Sequence, residues 1–286
     1  MPIITMNPNS PDTTKEIRLV VLDIDGTIAG ESNQVRDSVK QVIKSVQAKG
    51  INVAIATGRM YKSALRFHRD VGSDMPLIAY QGAWIQDPIT HTIHRHLPVS
   101  ENIALKLLNY FEQDNLRHLL SVHFYVNDQL YVRELTPDSI AYGKRTQVQP
   151  IPVGDLRDIL VKSAPTKILA ISEDIQLIDN LLQDVRGLFS LDELYVTKSV
   201  ATFFEATHPL VNKGTAVKFL AEEILGLTAK NVMTIGDNFN DIEMLEYAGL
   251  GVAMGNAPDG VKSYSDWVAP SINEDGAAIA MSYFLL

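Results

Sequence analysis

Asp23 and Asp25 stand two residues apart in Asp23-Ile24-Asp25-Gly26-Thr27, directly after the apolar run Leu19-Val20-Val21-Leu22. Like charges at the end of a buried strand raise each other's energy unless a cation or a proton intervenes. An acidic helix-capping turn would carry the same pentapeptide, so these five residues alone leave both readings open. Similar clusters recur along the chain. Thr57-Gly58-Arg59 follows the apolar run ending at Ala56, Gln81-Gly82 follows the run ending at Tyr80, and Asp237, Asn240 and Asp241 follow the run ending at Ile235. Open parallel sheets bind ligands outside the carboxyl ends of their strands, and each of these clusters falls at such an end.

Three carboxylates at one sheet edge make an oxygen-only donor set, because the chain has no cysteine and no histidine near these motifs. Such a set selects a hard cation; Mg²⁺ is the default, and no acidic loop has the spacing of a calcium-binding EF-hand. A metal held there draws in an anion. Thr57 offers a hydroxyl, Gly58 an unshielded backbone N–H, and Lys213 an ammonium at a helix start, where the helix adds partial positive charge. Together these would form a phosphate site. Taken singly, each piece has a plainer reading: Lys213 as a solvated lysine, Thr57-Gly58 as a turn, Asn240 as an N-cap, Asp241 as a first-turn residue. Arg59 either faces the substrate or pins its own helix.

The elements that must position these groups come in two styles. The first third alternates strand and helix: strands over 17–22, 51–56 and 77–80, with a helix carrying Val39, Val42, Ile43 and Val46 and closed by Gly50, and another running to about His68. That repeat implies a parallel sheet with helices on both faces. The style changes near Trp84. Hairpins are expected around Asp87-Pro88 and Asn127-Asp128, a helix over 101–114, a strand over 167–171, a helix over 174–186, and strands over 193–198 and 202–206. This is an α+β pattern. The last third returns to the first style, with Asn212 capping a helix that stops at Gly226, strands over 231–235 and 250–253, and an edge strand over 266–268.

The expected organisation is therefore a mobile leader over 1–12, an α/β core from 13–84 plus 208–286, and an inserted α+β module over 85–207. The 286 residues, 46% of them hydrophobic, suffice for one large core or two ordinary ones. A net charge of −9 argues against nucleic acid as partner and requires local positive charge at any anion site. No apolar stretch reaches the roughly 18 residues of a membrane span, so no membrane partner is expected. The absence of cysteine and of a signal peptide fits a cytoplasmic protein.

The four motifs Asp23-Ile24-Asp25-Gly26-Thr27, Ala56-Thr57-Gly58-Arg59, Asn212-Lys213-Gly214 and Gly236-Asp237-Asn238-Phe239-Asn240-Asp241 resemble those of the haloacid dehalogenase-like hydrolases. Ala253-Met254-Gly255-Asn256-Ala257, Val261-Lys262 and Asn273-Glu274-Asp275-Gly276 resemble the Cof-like, type IIB branch. The resemblance implies a Rossmann-like doubly wound core with an α+β cap inserted after the third strand. It implies a magnesium-dependent phosphatase of small phosphorylated metabolites, sugar phosphates or phosphorylated cofactors. Either a monomer or a homodimer is expected. Asp23 would be nucleophile and metal ligand. Asp25 would be acid and then base, lending its backbone carbonyl to the metal and sitting in a low-dielectric position beside Asp23. Thr57, Gly58 and Lys213 would hold the phosphoryl group, with Arg59 and Asn240 as further substrate contacts. Asp237 and Asp241 would complete the metal site.

Two features depart from the family's usual pattern: Gln81-Gly82 where many relatives have Asn-Gly, and Thr207-His208-Pro209-Leu210-Val211 ahead of Lys213. Both bear on substrate selection. Other expectations compatible with these residues are a phosphotransferase or mutase, in which a second hydroxyl replaces water, and a slow phosphoryl-accepting regulator. An acid–base residue at Asp25 has little use in the regulator.

Overall fold

The computed structural model describes residues 16–286 apart from Ser199. The leader expected over 1–12 lies outside the described residues. In chain order the elements are β1 (Leu19–Leu22), α1 (Asp37–Ala48), β2 (Asn52–Ile55), α2 (Tyr61–Asp70), β3 (Leu77–Ala79), β4 (Trp84–Gln86), β5 (Ile93–His96) and α3 (Glu101–Phe111). There follow β6 (Ser121–Val126), β7 (Gln129–Val132), α4 (Pro137–Thr146), β8 (Pro150–Pro152), α5 (Arg157–Leu160), β9 (Lys167–Ile171), α6 (Ile175–Leu188), β10 (Tyr195–Thr197) and β11 (Phe203–Thr207). The chain ends with α7 (Lys213–Phe219), β12 (Val232–Gly236), α8 (Ile242–Tyr247), β13 (Leu250–Ala253), α9 (Asp259–Lys262), β14 (Trp267–Val268) and α10 (Gly276–Leu285). Among the described residues, no helix is long and apolar enough to cross a membrane.

These elements form an α/β fold of two compact units. One takes the chain up to Ile55 together with Arg69–Met75 and Val217–Leu286; the other takes Ala56–His68 and Pro76–Ala216. The insertion expected over 85–207 lies wholly in the second unit, which also includes the segment around Thr57 and β3.

The first unit is built on a five-stranded parallel sheet in the order β14-β13-β12-β1-β2. β1 is buried at all four positions, which is why its sequence is an unbroken apolar run rather than an alternation. Its register places Leu22 beside Ile235 of β12, and the Asp23 N–H donates to the Ile235 carbonyl at 3.0 Å. The residues following β1 and β12 therefore emerge side by side. α1 buries Val39, Ile43 and Val46, and Gly50 ends it at a φ of 80° that a side chain would disfavour.

The second unit holds a six-stranded sheet, β10-β11-β9-β6-β7-β8, antiparallel except for β7 with β8. Side chains alternate across it. Val122, Phe124, Ile168, Ala170 and Phe204 pack with α3, α5 and α6 into one apolar core. Their neighbours His123, Tyr125, Lys167, Phe203 and Glu205 face the other way. There Lys167 pairs with Glu205 at 2.8 Å and the Tyr125 hydroxyl donates to that of Tyr142 at 2.7 Å.

One expectation is corrected. Leu77–Ala79, expected as a third strand of the parallel sheet, joins a different one. It makes an isolated parallel bridge, Ala56 to Ile78, and then pairs antiparallel with β4 in a three-stranded ribbon, β3-β4-β5. An apolar run of this length reports burial and not the direction of its neighbour. The helix expected to stop at Gly226 is α-helical to Phe219 and continues as a π turn over Leu220–Ile224, with Gly226 at a φ of 63° just beyond it.

Candidate active site

In the first unit, Asp23, Asp237 and Asp241 each offer a carboxylate oxygen within 4.8 Å of the others. Asp23 follows β1, and Asp237 and Asp241 follow β12, so the register of those two strands creates the cluster. Asp23 is 5% exposed and Asp241 fully buried. Three carboxylates gathered there, two of them buried and Asp237 half-buried, would repel strongly without a cation.

The loop after β12 is shaped by Asp241. Its Oδ2 accepts from the backbone N–H groups of Asp237, at 2.9 Å, and Asn238, at 3.0 Å. Gly236 leaves the space this carboxyl needs, since a Cβ there would lie 2.6 Å from Asp241 Cβ. Asp237 is held in turn by the Thr27 hydroxyl, which donates to Oδ1 at 3.2 Å, and by the Asn256 amide, which donates to Oδ2 at 3.3 Å. The same amide donates to the Gly26 carbonyl at 2.9 Å, and Asn256 Oδ1 accepts from the Ile272 N–H at 2.8 Å. Asn256 thus ties three loops around the cluster. Sequence reasoning gave it no role; its signal was Met254-Gly255-Asn256 directly after β13. Asn240 lies half-buried in the turn Phe239–Asp241.

Asp25 departs from expectation. It is exposed rather than held in a low-dielectric position; its side chain is not among the three clustered carboxylates, the metal contact expected of it being through its backbone carbonyl. It lines a cleft of about 520 Å³ with Gly30, Gln34, Arg36, Asn273 and Asp275. Arg36 closes one edge through an ion pair to Asp275 at 3.0 Å. The chain turns after β1, with Gly26 at a φ of 88°, while the Asp23 N–H stays bonded to the Ile235 carbonyl of β12.

The second unit carries the other predicted residues. Thr57 is 1% exposed; its hydroxyl accepts from the Arg59 N–H at 3.2 Å, and its carbonyl accepts from the Gln81 N–H at 2.9 Å. A Cβ on Gly58 would fall 2.5 Å from Gln81 Nε2, so the Gln81 side chain closes over the bare glycine. Arg59 lies with its guanidinium 4.6 Å from the ring centre of Phe67, on α2, the helix that follows it. Lys213 opens α7 and is 1% exposed. Asn212 caps that helix as expected, its Oδ1 accepting from the Thr215 N–H at 2.7 Å. Arg95, on β5, braces the same segment by donating to the carbonyls of Thr215, at 3.1 Å, and Leu210, at 3.4 Å. Gly82, at a φ of 99°, admits α7 closely, because a Cβ would meet Ala216 Cβ at 2.6 Å and the Asn212 carbonyl at 2.8 Å.

The model of one family, described as haloacid dehalogenase-like hydrolase, matches residues 20–281. The chain is similar to 5-amino-6-(5-phospho-D-ribitylamino)uracil phosphatase YcsE of Bacillus subtilis (strain 168), 28% identical over 271 residues that cover 95% of this chain and 97% of that protein. It is also similar to Phosphatase YwpJ of the same organism, 26% identical, covering 94% of this chain and 100% of that one. The crystal structure of TM0651 from Thermotoga maritima superposes with a TM-score of 0.83 at 27% identity, over 93% of this chain and 97% of that chain. The subclass IIB sugar phosphatase BT4131 shares the fold with a TM-score of 0.78 at 22% identity, over 93% and 98% of the two chains.

Proposed function

The chain belongs to the haloacid dehalogenase-like hydrolases, in their Cof-like branch, and from that membership we propose that it is a Mg²⁺-dependent phosphatase of small phosphorylated metabolites working through an aspartyl-phosphate on Asp23. The observation that carries this is the cluster of Asp23, Asp237 and Asp241 oxygens within 4.8 Å, two of the three residues buried. The donor set is all oxygen, as a hard divalent cation requires. The residues that would hold the ion are Asp23, Asp237, Asp241 and the backbone carbonyl of Asp25. Bound there, it would offset the negative charge of the phosphoryl oxygens and of the attacking carboxylate.

In the first displacement a carboxylate oxygen of Asp23 attacks phosphorus as the bond to the ester oxygen breaks. Asp25 gives its proton to that leaving oxygen, so an alcohol departs and the phosphoryl group rests on Asp23. In the second displacement Asp25 takes a proton from a water whose oxygen attacks phosphorus. The bond to Asp23 breaks, inorganic phosphate forms, and both aspartates return to their starting states. The exposure of Asp25 suits a group that must meet both a leaving alcohol and a water. Thr57, Gly58 and Lys213 would hold the transferring oxygens, the ammonium of Lys213 stabilising charge that grows in the transition state. Arg59 and Asn240 are further candidates for substrate contact, although the stacking of Arg59 on Phe67 also serves α2.

Residues 85–207 would act as a cap that excludes water and selects the leaving group. 5-amino-6-(5-phospho-D-ribitylamino)uracil, named for one relative, and sugar phosphates, named for a structural neighbour, are the monoesters to try first. The test is a panel of such monoesters assayed for phosphate release with and without Mg²⁺, with Asp23→Asn as the blank. Mg²⁺-dependent release by the parent and none by the blank is expected; equal release by both would overturn the proposal.

A further inference from the structure

Asp128 lies at the tip of the β6–β7 hairpin, where Asn127 and Asp128 both adopt left-handed backbone, at φ of 49° and 56°. Hairpin tips of this kind normally place their polar side chains in water. Asp128 is instead 5% exposed. Its carboxylate reaches two segments far away in sequence. Oδ1 accepts from the Tyr80 hydroxyl at 2.8 Å, and Oδ2 accepts from the Lys62 N–H at 2.8 Å, with the Tyr61 N–H bonded to the same carboxylate.

Those donors flank the Thr57–Gly58 loop. Tyr61 and Lys62 begin α2, three residues beyond Gly58. Met60 precedes that helix and has no side chain able to cap it, so Asp128 caps α2 from the hairpin. On the other flank, the Tyr80 N–H donates to the Arg59 carbonyl at 2.9 Å and the Gln81 N–H to the Thr57 carbonyl at 2.9 Å. Tyr80 and Gln81 hold φ of 52° and 59°, a left-handed pair that non-glycine residues adopt only when their surroundings impose it. That turn is what lays the Gln81 amide over Gly58. A further tie joins the same helix to α4: the Ser63 hydroxyl donates to the Thr146 carbonyl at 2.8 Å.

A helix cap alone would not recruit a tyrosine from another segment, and a tyrosine hydroxyl alone would not require a buried carboxylate. Burial pushes the Asp128 carboxyl up, while hydrogen bonds from Tyr80, Lys62 and Tyr61 oppose the shift. Burial, followed by the charge of Asp128, pushes the Tyr80 phenol well above its usual range, so the tyrosine is the donor of the pair. Every contact named here lies within the second unit.

We propose that Asp128 is a positioning residue through which the six-stranded sheet sets the geometry of the Thr57–Gly58 loop, and so the binding of the phosphoryl group. Its catalytic consequence rests on the phosphatase reading above; the tie itself does not. A one-ångström displacement of a group that orients a reacting phosphate costs on the order of 100-fold in rate.

The test compares the full chain with Asp128→Ala, Asp128→Asn, Tyr80→Phe and the double variant Tyr80→Phe/Asp128→Ala, all with Mg²⁺. It reads kcat and KM for p-nitrophenyl phosphate, competitive inhibition by inorganic phosphate, and hydrogen–deuterium exchange of peptides spanning 57–64. Asp128→Ala is expected to lose about 10- to 100-fold in kcat/KM. Inhibition by phosphate should weaken with it, and exchange over 57–64 should quicken while peptides of α3 and α6 keep the parent's protection. Asp128→Asn should recover part of the loss. The double variant should be no worse than Asp128→Ala, because both substitutions break one connection. Parental kinetics, phosphate inhibition and exchange in Asp128→Ala would overturn the proposal, as would purely additive losses in the double variant. If Asp128→Ala does not fold, Tyr80→Phe decides: unchanged kinetics and exchange refute the tie. A parent that hydrolyses no phosphomonoester would refute the phosphatase reading instead, and exchange over 57–64 would still report on Asp128.

Discussion

Gly26 and Asp237 share a space that only one of them can fill: a Cβ on Gly26 would lie 2.1 Å from Asp237 Oδ2. The residues are far apart in sequence, and the parallel pairing of β1 with β12 brings them together. Gly26 also needs its φ of 88°. Gly26→Ala therefore faces both a backbone and a steric penalty, and the carboxylate of Asp237 must move. Stability should fall by about 1 to 3 kcal/mol. Mg²⁺ affinity, measured by calorimetry, should fall further than that stability loss accounts for. An alanine variant that binds Mg²⁺ as the parent does would mean that Asp237 takes no part in holding it.

Asp241 acts on the same loop through its backbone. Replacing it with asparagine keeps the shape but leaves Oδ2 as one weaker acceptor or a clashing amide donor beneath the N–H groups of Asp237 and Asn238. Mg²⁺ affinity should weaken by about 10- to 100-fold, the range for residues that orient metal ligands. Asp241→Ala should be worse, because two N–H groups lose their acceptor. Titration calorimetry on folded variants measures both; equal affinities would remove Asp241 from the site.

Much of this arrangement was legible as residues at strand ends. The apolar runs marked where β1, β2, β12 and β13 stop, and the polar clusters after them needed no long-range information. Asn212 as a cap and Asn127-Asp128 as a turn were likewise local signals. What escaped the sequence was tertiary in origin. The pairing of Leu77–Ala79 depends on which strand lies beside it, which an apolar run does not encode. α4 contains Gly143, which reads as a breaker; the structure needs it because a Cβ would meet Pro150 Cδ at 2.7 Å. α10 is apolar on nearly every face and so has no periodicity to detect. Asn256 carries no charge to draw attention, and its three hydrogen bonds exist only once distant loops meet. The exposure of Asp25 depends on how the chain leaves β1 and could not be read from its neighbours.

His123 gives a prediction about pH. It is fully buried, its Nε2 lies 3.1 Å from the Ser121 hydroxyl, and its ring meets that of Tyr142 edge-on at 5.3 Å. Burial, with the nearby Lys167 ammonium adding to it, lowers its pKa to about 3. In the unfolded chain the ring titrates near 6.5. Below that pH the unfolded state binds the proton that the folded state refuses, so stability is full above about 6.5 and falls as pH drops towards 3. Urea unfolding at pH 7 and pH 4.5 should show the parent losing about 2 to 3 kcal/mol more than His123→Gln. Equal losses would show that the buried ring does not report on acid unfolding.

The most direct test of the central claim is to ask where phosphorus resides during turnover. The protein, reacting with ³²P-labelled p-nitrophenyl phosphate and Mg²⁺, is quenched in acid, digested, and its peptides are separated. Label is expected on the peptide containing Asp23, removable by hydroxylamine, and missing when Mg²⁺ is withheld or in Asp23→Asn. Mg²⁺-dependent phosphate release with no label on that peptide, undiminished in Asp23→Asn, would contradict it.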